Sequence, residues 1–178
     1  MTRRDPTVFA EFVAARSASL YRTAYLMVGE HALAQDLLQE ALTKTYVAWP
    51  RLRAVENAEA YTRRALTNTA ISWSRKKSSQ ERPTDTLPEH ADLRHHADEL
   101  GTREWLWREL QQLPPRQRAA LVLRFYEDLS EAQTAAAMGC AVGTVKSQVS
   151  QGLKRLREQV GVDLVALTGP LTSKVASR

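Results

Sequence analysis

Apolar residues recur along this chain every three or four positions rather than every two, the period of helices packed by one face. From residue 7 onward Phe9, Phe12, Val13, Leu20, Ala24 and Met27 form such a stripe, and Gly29 supplies a residue suited to a left-handed C-terminal stop. A second stripe of Ala34, Leu37, Leu38, Ala41, Leu42 and Thr45 predicts a helix from about His31 to Trp49, with Gln35, Asp36, Gln39, Glu40, Thr43 and Lys44 facing outward. A third helix, from about Asn57 to Lys77, places Tyr61, Ala65, Leu66, Thr69 and Trp73 toward a core. Arg63, Arg64, Asn68, Arg75 and Lys76 then lie largely outside it.

The periodicity lapses between residues 78 and 103. Pro83, Pro88 and a shortage of large apolar side chains predict a flexible linker there. Beyond it, Glu104 to Leu113 reads as a helix that Pro114 and Pro115 break, and Pro115 suits the first turn of a helix ending near Asp128. Ser130-Glu131-Ala132-Gln133 has the form of a capping box, in which a serine side chain and a glutamine side chain satisfy each other's backbone donors. The short helix it opens runs to Gly139, a natural left-handed turn, and a new amphipathic helix begins near Gly143. In that last helix Val145, Val149, Leu153, Leu156 and Val160 form the inner stripe, turning Thr144, Ser147, Gln148, Gln151, Lys154 and Arg155 outward. The expected fold is all-α: two small helical domains joined by a flexible linker, the second containing a helix-turn-helix. The boundaries fall at 1–77, 78–103 for the linker, 104–160, and a tail at 161–178.

Charge sharpens this division. Basic residues outnumber acidic ones 12 to 7 over residues 1–77 and 8 to 6 over 104–160, while the linker carries 3 against 6. A net charge of +5 suits a polyanionic partner, and its placement on two helical blocks points to nucleic acid. From Arg51 to Lys77 there are seven basic residues against Glu56 and Glu59, with Tyr61 and Trp73 interleaved. Such a composition neutralises phosphates and stacks unpaired bases, although a solvated face over an aromatic core has the same composition. In the last helix short polar groups come first and cations follow, the order in which a recognition helix meets base edges and then phosphate.

Other chemistries find little footing. Cys140 is alone, so no internal disulfide is available, and no charged-then-apolar leader opens the chain; a cytoplasmic protein without a membrane span is expected. His95 and His96 with Asp92 and Asp98 resemble metal ligands in composition, but adjacent histidines project in different directions. Neither a phosphate-binding glycine loop nor a nucleophile–base pair is apparent, so neither enzyme chemistry nor a cofactor or metal is expected.

Residues 110–158, LQQLPPRQRAALVLRFYEDLSEAQTAAAMGCAVGTVKSQVSQGLKRLRE, closely resemble the region 4 domain of extracytoplasmic-function sigma factors, the group 4 members of the sigma-70 family. AQDLLQEALTKTYVAW at 34–49 looks like that family's region 2.2, and AYTRRALTNTAISWSRKK at 60–77 is similar to the later part of region 2. The resemblance implies a subunit that binds core RNA polymerase and directs transcription initiation at promoters by recognising their -10 and -35 elements. It implies a polymerase-binding face of Gln35, Asp36, Gln39, Glu40 and Thr43 on the clamp of the largest subunit, with the beta flap as a further contact. It also implies -10 contacts from Arg51, Arg53, Asn57, Tyr61, Arg63, Arg64, Asn68, Arg75 and Lys76, the loop from Arg51 to Glu59 capturing an unpaired base. The -35 contacts it implies are Arg124, Thr144, Lys146, Ser147, Gln148, Gln151, Lys154 and Arg155. An anti-sigma factor wedged between the domains is a partner that many relatives have and that the linker permits. Two departures stand out: Gln148, Ser150 and Gln151 replace the basic or imidazole side chains of many relatives, and Ala141-Val142 replaces their Ser-Pro. The second removes a side-chain cap and leaves the role to Gly143. The competing expectation is a two-domain helix-turn-helix regulator that binds duplex DNA without polymerase.

Overall fold

The computed structural model describes residues 6–52, 55–80 and 100–160. Arg53, most of the expected linker, His95 and His96 with Asp92 and Asp98, and the tail at 161–178 lie outside the described residues. Seven α-helices are described: α1 Pro6–Val28, α2 His31–Ala48, α3 Val55–Gln80, α4 Leu100–Gln112, α5 Pro115–Leu121, α6 Glu131–Met138 and α7 Val142–Val160. A single 3₁₀ turn, Trp49–Arg51, follows α2, and a π-helical segment, Val122–Tyr126, continues α5. There is no strand among the described residues, and no helix among them is long and apolar enough to cross a membrane.

In the first unit α1, α2 and α3 pack as a three-helix layer. Ala34, Leu37, Ala41 and Thr45 are the buried stripe of α2, as the spacing predicts, while Leu38 and Leu42 are only partly covered. Thr45 lies 2.8 Å from Thr62 of α3 between hydroxyl oxygens, and each has the carbonyl one turn back within reach, Ala41 and Ala58, so one hydroxyl donates to its carbonyl while the other donates either to its own carbonyl or to its partner. This pair lets two polar side chains cross the core with their hydrogen bonds made. Tyr61, expected inward, is exposed because the buried line of α3 runs through Ala58, Thr62, Leu66, Thr69 and Ala70, and Tyr61 points away from it. At the open end of the layer Trp49 packs edge-on against Phe9, with ring centroids 5.0 Å apart.

The second unit is built on α5 and α7. Gly152 is the point of closest approach: a Cβ there would lie 3.1 Å from Leu121 and 3.4 Å from Cβ of Gln117. Pro115 occupies the first turn of α5, where its missing N–H costs nothing. The capping box is formed as predicted, with Ser130 Oγ accepting from Gln133 N–H at 3.1 Å and Gln133 Oε1 accepting from Ser130 N–H at 2.8 Å. Gly139 takes φ +63° at the turn into α7. The expected shift of the α7 cap to Gly143 does not occur. The Ala141 carbonyl accepts from the N–H groups of Thr144 (3.0 Å) and Val145 (3.2 Å), which makes Ala141 the N-cap.

The two units also pack on each other. A buried apolar cluster runs through Met27, Leu37 and Leu66 of the first and Leu123, Ala135 and Met138 of the second. Gly29 ends α1 at φ +76°, and its missing side chain admits Gln111, whose Cδ would stand 2.5 Å from a Cβ. Gln111 donates to the Leu26 carbonyl (3.0 Å) and Arg118 donates to that of Met27 (2.7 Å), so the second unit satisfies carbonyls that the end of α1 leaves open.

Because Ala141 holds the cap position without a side-chain acceptor, Ala141→Ser is expected to stabilise the chain by about 1 kcal/mol, near 2–4 °C in Tm. A calorimetric midpoint that stays or falls would contradict this placement of the cap.

Candidate nucleic-acid interface

Three surfaces are organised by the helical period. On α2, Gln35, Asp36, Gln39 and Thr43 are exposed on one face. Glu40 is half-buried and paired with Lys44 at 2.7 Å, and Lys44 also donates to Thr69 Oγ1 at 2.9 Å. The polar face continues into Tyr46 and Val47, which are 53% and 74% exposed. Sequence reasoning passed over this apolar extension. Its signal was available, since neither residue falls on the stripe 34-37-41-45.

On α3, Asn57, Tyr61, Arg64, Asn68 and Arg75 follow a spacing of four, three, four and seven and form one exposed stripe, with Lys76 beside it. Beside the stripe Asn68, Ser72, Trp73 and Lys76 line a groove with Glu40 and Lys44, of about 240 Å³. Arg51 is exposed on the 3₁₀ turn.

Arg63 departs from expectation. It is not an outer cation but a half-buried one, because the turn after the π-helical segment lies over it. Its Nε donates to Glu127 at 3.0 Å and its Nη2 to Glu59 at 3.0 Å. The other oxygen of Glu127 accepts from Thr23 of α1. Asn68, at the middle of the stripe, donates to the Ala137 carbonyl of α6 at 3.4 Å. The second unit therefore occupies two of the side chains that the sequence led one to expect at nucleic acid.

On α7, Thr144, Ser147, Gln148, Gln151 and Arg155 form a stripe beside the buried line of Val145, Gly152 and Leu156. Helical rotation of about 100° per residue puts Lys146 on the other shoulder. There it lines a separate groove with Arg124, Phe125, Ser150 and Arg157, and meets Glu131 at 3.6 Å. Arg124 donates to the Leu129 carbonyl, so it braces the turn before α6 rather than joining the glutamine stripe. Lys154 projects between the two shoulders and pairs loosely with Glu158 at 3.9 Å. Gln117, buried in α5 at core spacing with Ala120 and Leu121, contacts this stripe through Gln151, a partner that the spacing does not reveal. Among the described residues no group of three or more His, Cys, Asp or Glu side chains is arranged to hold a metal.

An exposed polar face on α2, a basic and aromatic stripe on α3 and a helix-turn-helix with an outward polar helix define a two-unit helical DNA-binding protein. Comparison with known proteins narrows the class. Residues 12–80 match the family described as Sigma-70 region 2, and residues 103–156 match Sigma-70, region 4. The RNA polymerase sigma-E factor of Streptomyces coelicolor is 40% identical over 85% of this chain and 85% of its own. The ECF RNA polymerase sigma factor SigW of Bacillus subtilis is 26% identical over 88% of this chain and 90% of its own. Among solved structures, the sigma factor RpoE from Bartonella quintana, in complex with the anti-sigma factor NepR, aligns with a TM-score of 0.69 at 27% identity, over 87% of this chain and 98% of that one. The chain belongs to the sigma-70 family, in its extracytoplasmic-function group.

Glu127 is the electrostatic tie between the units, so Glu127→Ala should weaken their contact by about 1–3 kcal/mol without disturbing either helical layer. Small-angle scattering of the free chain should then give a larger radius of gyration at unchanged helix content; an unchanged radius would show that Glu127 does not hold the units together.

Proposed function

We infer that this chain binds core RNA polymerase and promoter DNA and directs promoter-specific initiation, with a division of labour among the three surfaces described above. The observation that carries this division is that the α3 stripe and the α7 stripe belong to separate units of one chain, each with the side-chain chemistry of a different DNA element. No covalent step is needed, and the work is done where the polymerase is, in the cytoplasm.

The α2 face of Gln35, Asp36, Gln39 and Thr43, extended by Tyr46 and Val47, is the polymerase-docking surface. Its polar head gives orientation and its apolar end gives area to bury, about 25 cal/mol per Å². The α3 stripe holds the -10 element. A base lifted from the duplex gives up stacking worth a few kcal/mol, which stacking on Tyr61 and neutralisation of phosphates by Arg64, Arg75 and Lys76 offset. The α7 stripe enters the major groove at -35, where a glutamine is able to accept from N6 and donate to N7 of adenine.

Reach requires a change of shape. A compact chain of this length is about 40 Å across, whereas elements centred about 25 base pairs apart lie about 85 Å apart at 3.4 Å per pair. The packed arrangement engages one element at a time. Residues 81–99 between the units supply about 65 Å of contour, enough for the units to separate on the polymerase. Separation frees Arg63 from Glu127 and Asn68 from Ala137 for nucleic acid. An anti-sigma factor that holds the units in or near the packed form would act on the same equilibrium.

Run-off transcription with core polymerase on a promoter library tests the assignment. The double variant Asp36→Ala, Gln39→Ala should lose core binding at least tenfold while keeping its melting temperature, and Gln148→Ala should change base preference at -35 with core binding unchanged. Transcription that needs no core contact from α2, or tight duplex binding by the chain alone, would favour a regulator that works without polymerase.

A further inference from the structure

Gln117 is 4% exposed in α5, yet it carries a primary amide into an apolar crossing where a leucine or methionine would be the expected residue. Its Nε2 donates to Gln151 Oε1 at 3.1 Å, and Gln151 Nε2 donates in turn to Ser147 Oγ at 3.2 Å. Its own Oε1 is buried with no hydrogen-bond partner. Exchanging O and N on both amides would keep the chain of bonds but would bury two unpaired N–H donors of Gln117 in place of one carbonyl oxygen, the costlier orphan, so the first orientation is favoured. Either way a polar group stays unpaired inside, at a cost to stability. A residue kept for packing alone would not carry that cost.

We propose that Gln117 is a positioning residue for promoter recognition: it locks the exposed Gln151 amide in one orientation against Ser147 and thereby sets the base that α7 selects. An unrestrained glutamine on a helix surface samples several rotamers and both amide orientations, so it accepts different bases with similar ease. Tied at one end to a buried partner, it presents a fixed donor and acceptor, and discrimination follows from the mismatches that geometry refuses. Gly152 makes the tie possible, because a side chain there would press on Leu121 and Gln117 and move α5 away from α7. The proposal rests on the assignment of the α7 stripe to the -35 element.

The test is an epistasis measurement on holoenzyme, reading relative binding to a duplex library varied through the -35 element. Gln117→Met keeps length and removes the amide together with its orphan, and Gln117→Leu is a second apolar variant in case methionine packs poorly. Gln151→Ala is expected to reduce selectivity about tenfold at one or two base pairs. Gln117→Met should reduce selectivity at the same pairs with melting temperature held or raised, and should add nothing in the Gln151→Ala background. Unaltered selectivity in both Gln117 variants, or a loss that persists in the Gln151→Ala background, would overturn the positioning role while leaving the α7 assignment in place. Selectivity unmoved by Gln151→Ala would instead overturn the α7 assignment and the proposal with it.

Discussion

A single buried cation sits where the two units of this protein meet. The Arg118 guanidinium lies where α1 ends and α4 turns into α5, donating to the Met27 carbonyl (2.7 Å), to the side-chain and backbone oxygens of Gln111 (2.6 and 2.7 Å) and to the Leu113 carbonyl (3.1 Å). Burial lowers its pKa to about 10, so it stays protonated at neutral pH and complements the negative end of the α1 dipole. Most of these acceptors belong to its own unit, and only the Met27 carbonyl lies across the junction. When the units part, Arg118 keeps its local partners and the freed α1 carbonyls meet water. Separation therefore leaves Arg118 paired, and the polar cost of opening falls on the Arg63–Glu127 and Thr23–Glu127 contacts.

The apolar part behaves differently. Tyr25 packs on Trp107 across the junction with ring centroids 5.0 Å apart, and the buried cluster from Met27 to Met138 is shared by both units. Exposing such a surface without a replacement is costly, at roughly 25 cal/mol per Å². A partner that covers it shifts the equilibrium by its difference in affinity for the two forms and by nothing else. On the proposed reading, core polymerase is the partner that favours the separated form, and any partner that favours the packed one competes with it through the same shape change.

Much of this was legible in the residues. The ends of α1, the α2 stripe, the capping box at Ser130 and the turn at Gly139 follow from local rules that the tertiary structure does not override. The sequence also carried the family resemblance, through blocks that lie in the same order as the two matched regions. What it did not disclose depends on contacts between distant positions. Arg63 looks like any outward cation until Glu127, 64 residues later, is folded against it. Tyr61 and Thr62 exchange roles because a threonine that bonds its own helix carbonyl fills the inner position as well as an aromatic ring does. Gln117 has the spacing of a core residue and the chemistry of a surface one, a conflict that only the neighbouring Gln151 resolves.

The glutamine face of α7 has a consequence for how the protein divides affinity from specificity. Phosphate neutralisation supplies most of the binding energy of a DNA-reading helix, and base-edge hydrogen bonds supply selectivity. On the stripe of Thr144, Ser147, Gln148, Gln151 and Arg155 a single residue is a cation, with Lys146 turned to the opposite shoulder and paired with Glu131. Such a helix reads bases well and grips DNA weakly. If α2 docks on polymerase as proposed, the missing affinity is recovered because the -35 contact becomes intramolecular and a tethered module meets its site at an effective concentration of roughly millimolar. On that reading a weak, selective helix leaves duplex sites empty by itself and confines promoter reading to chains already mounted on polymerase.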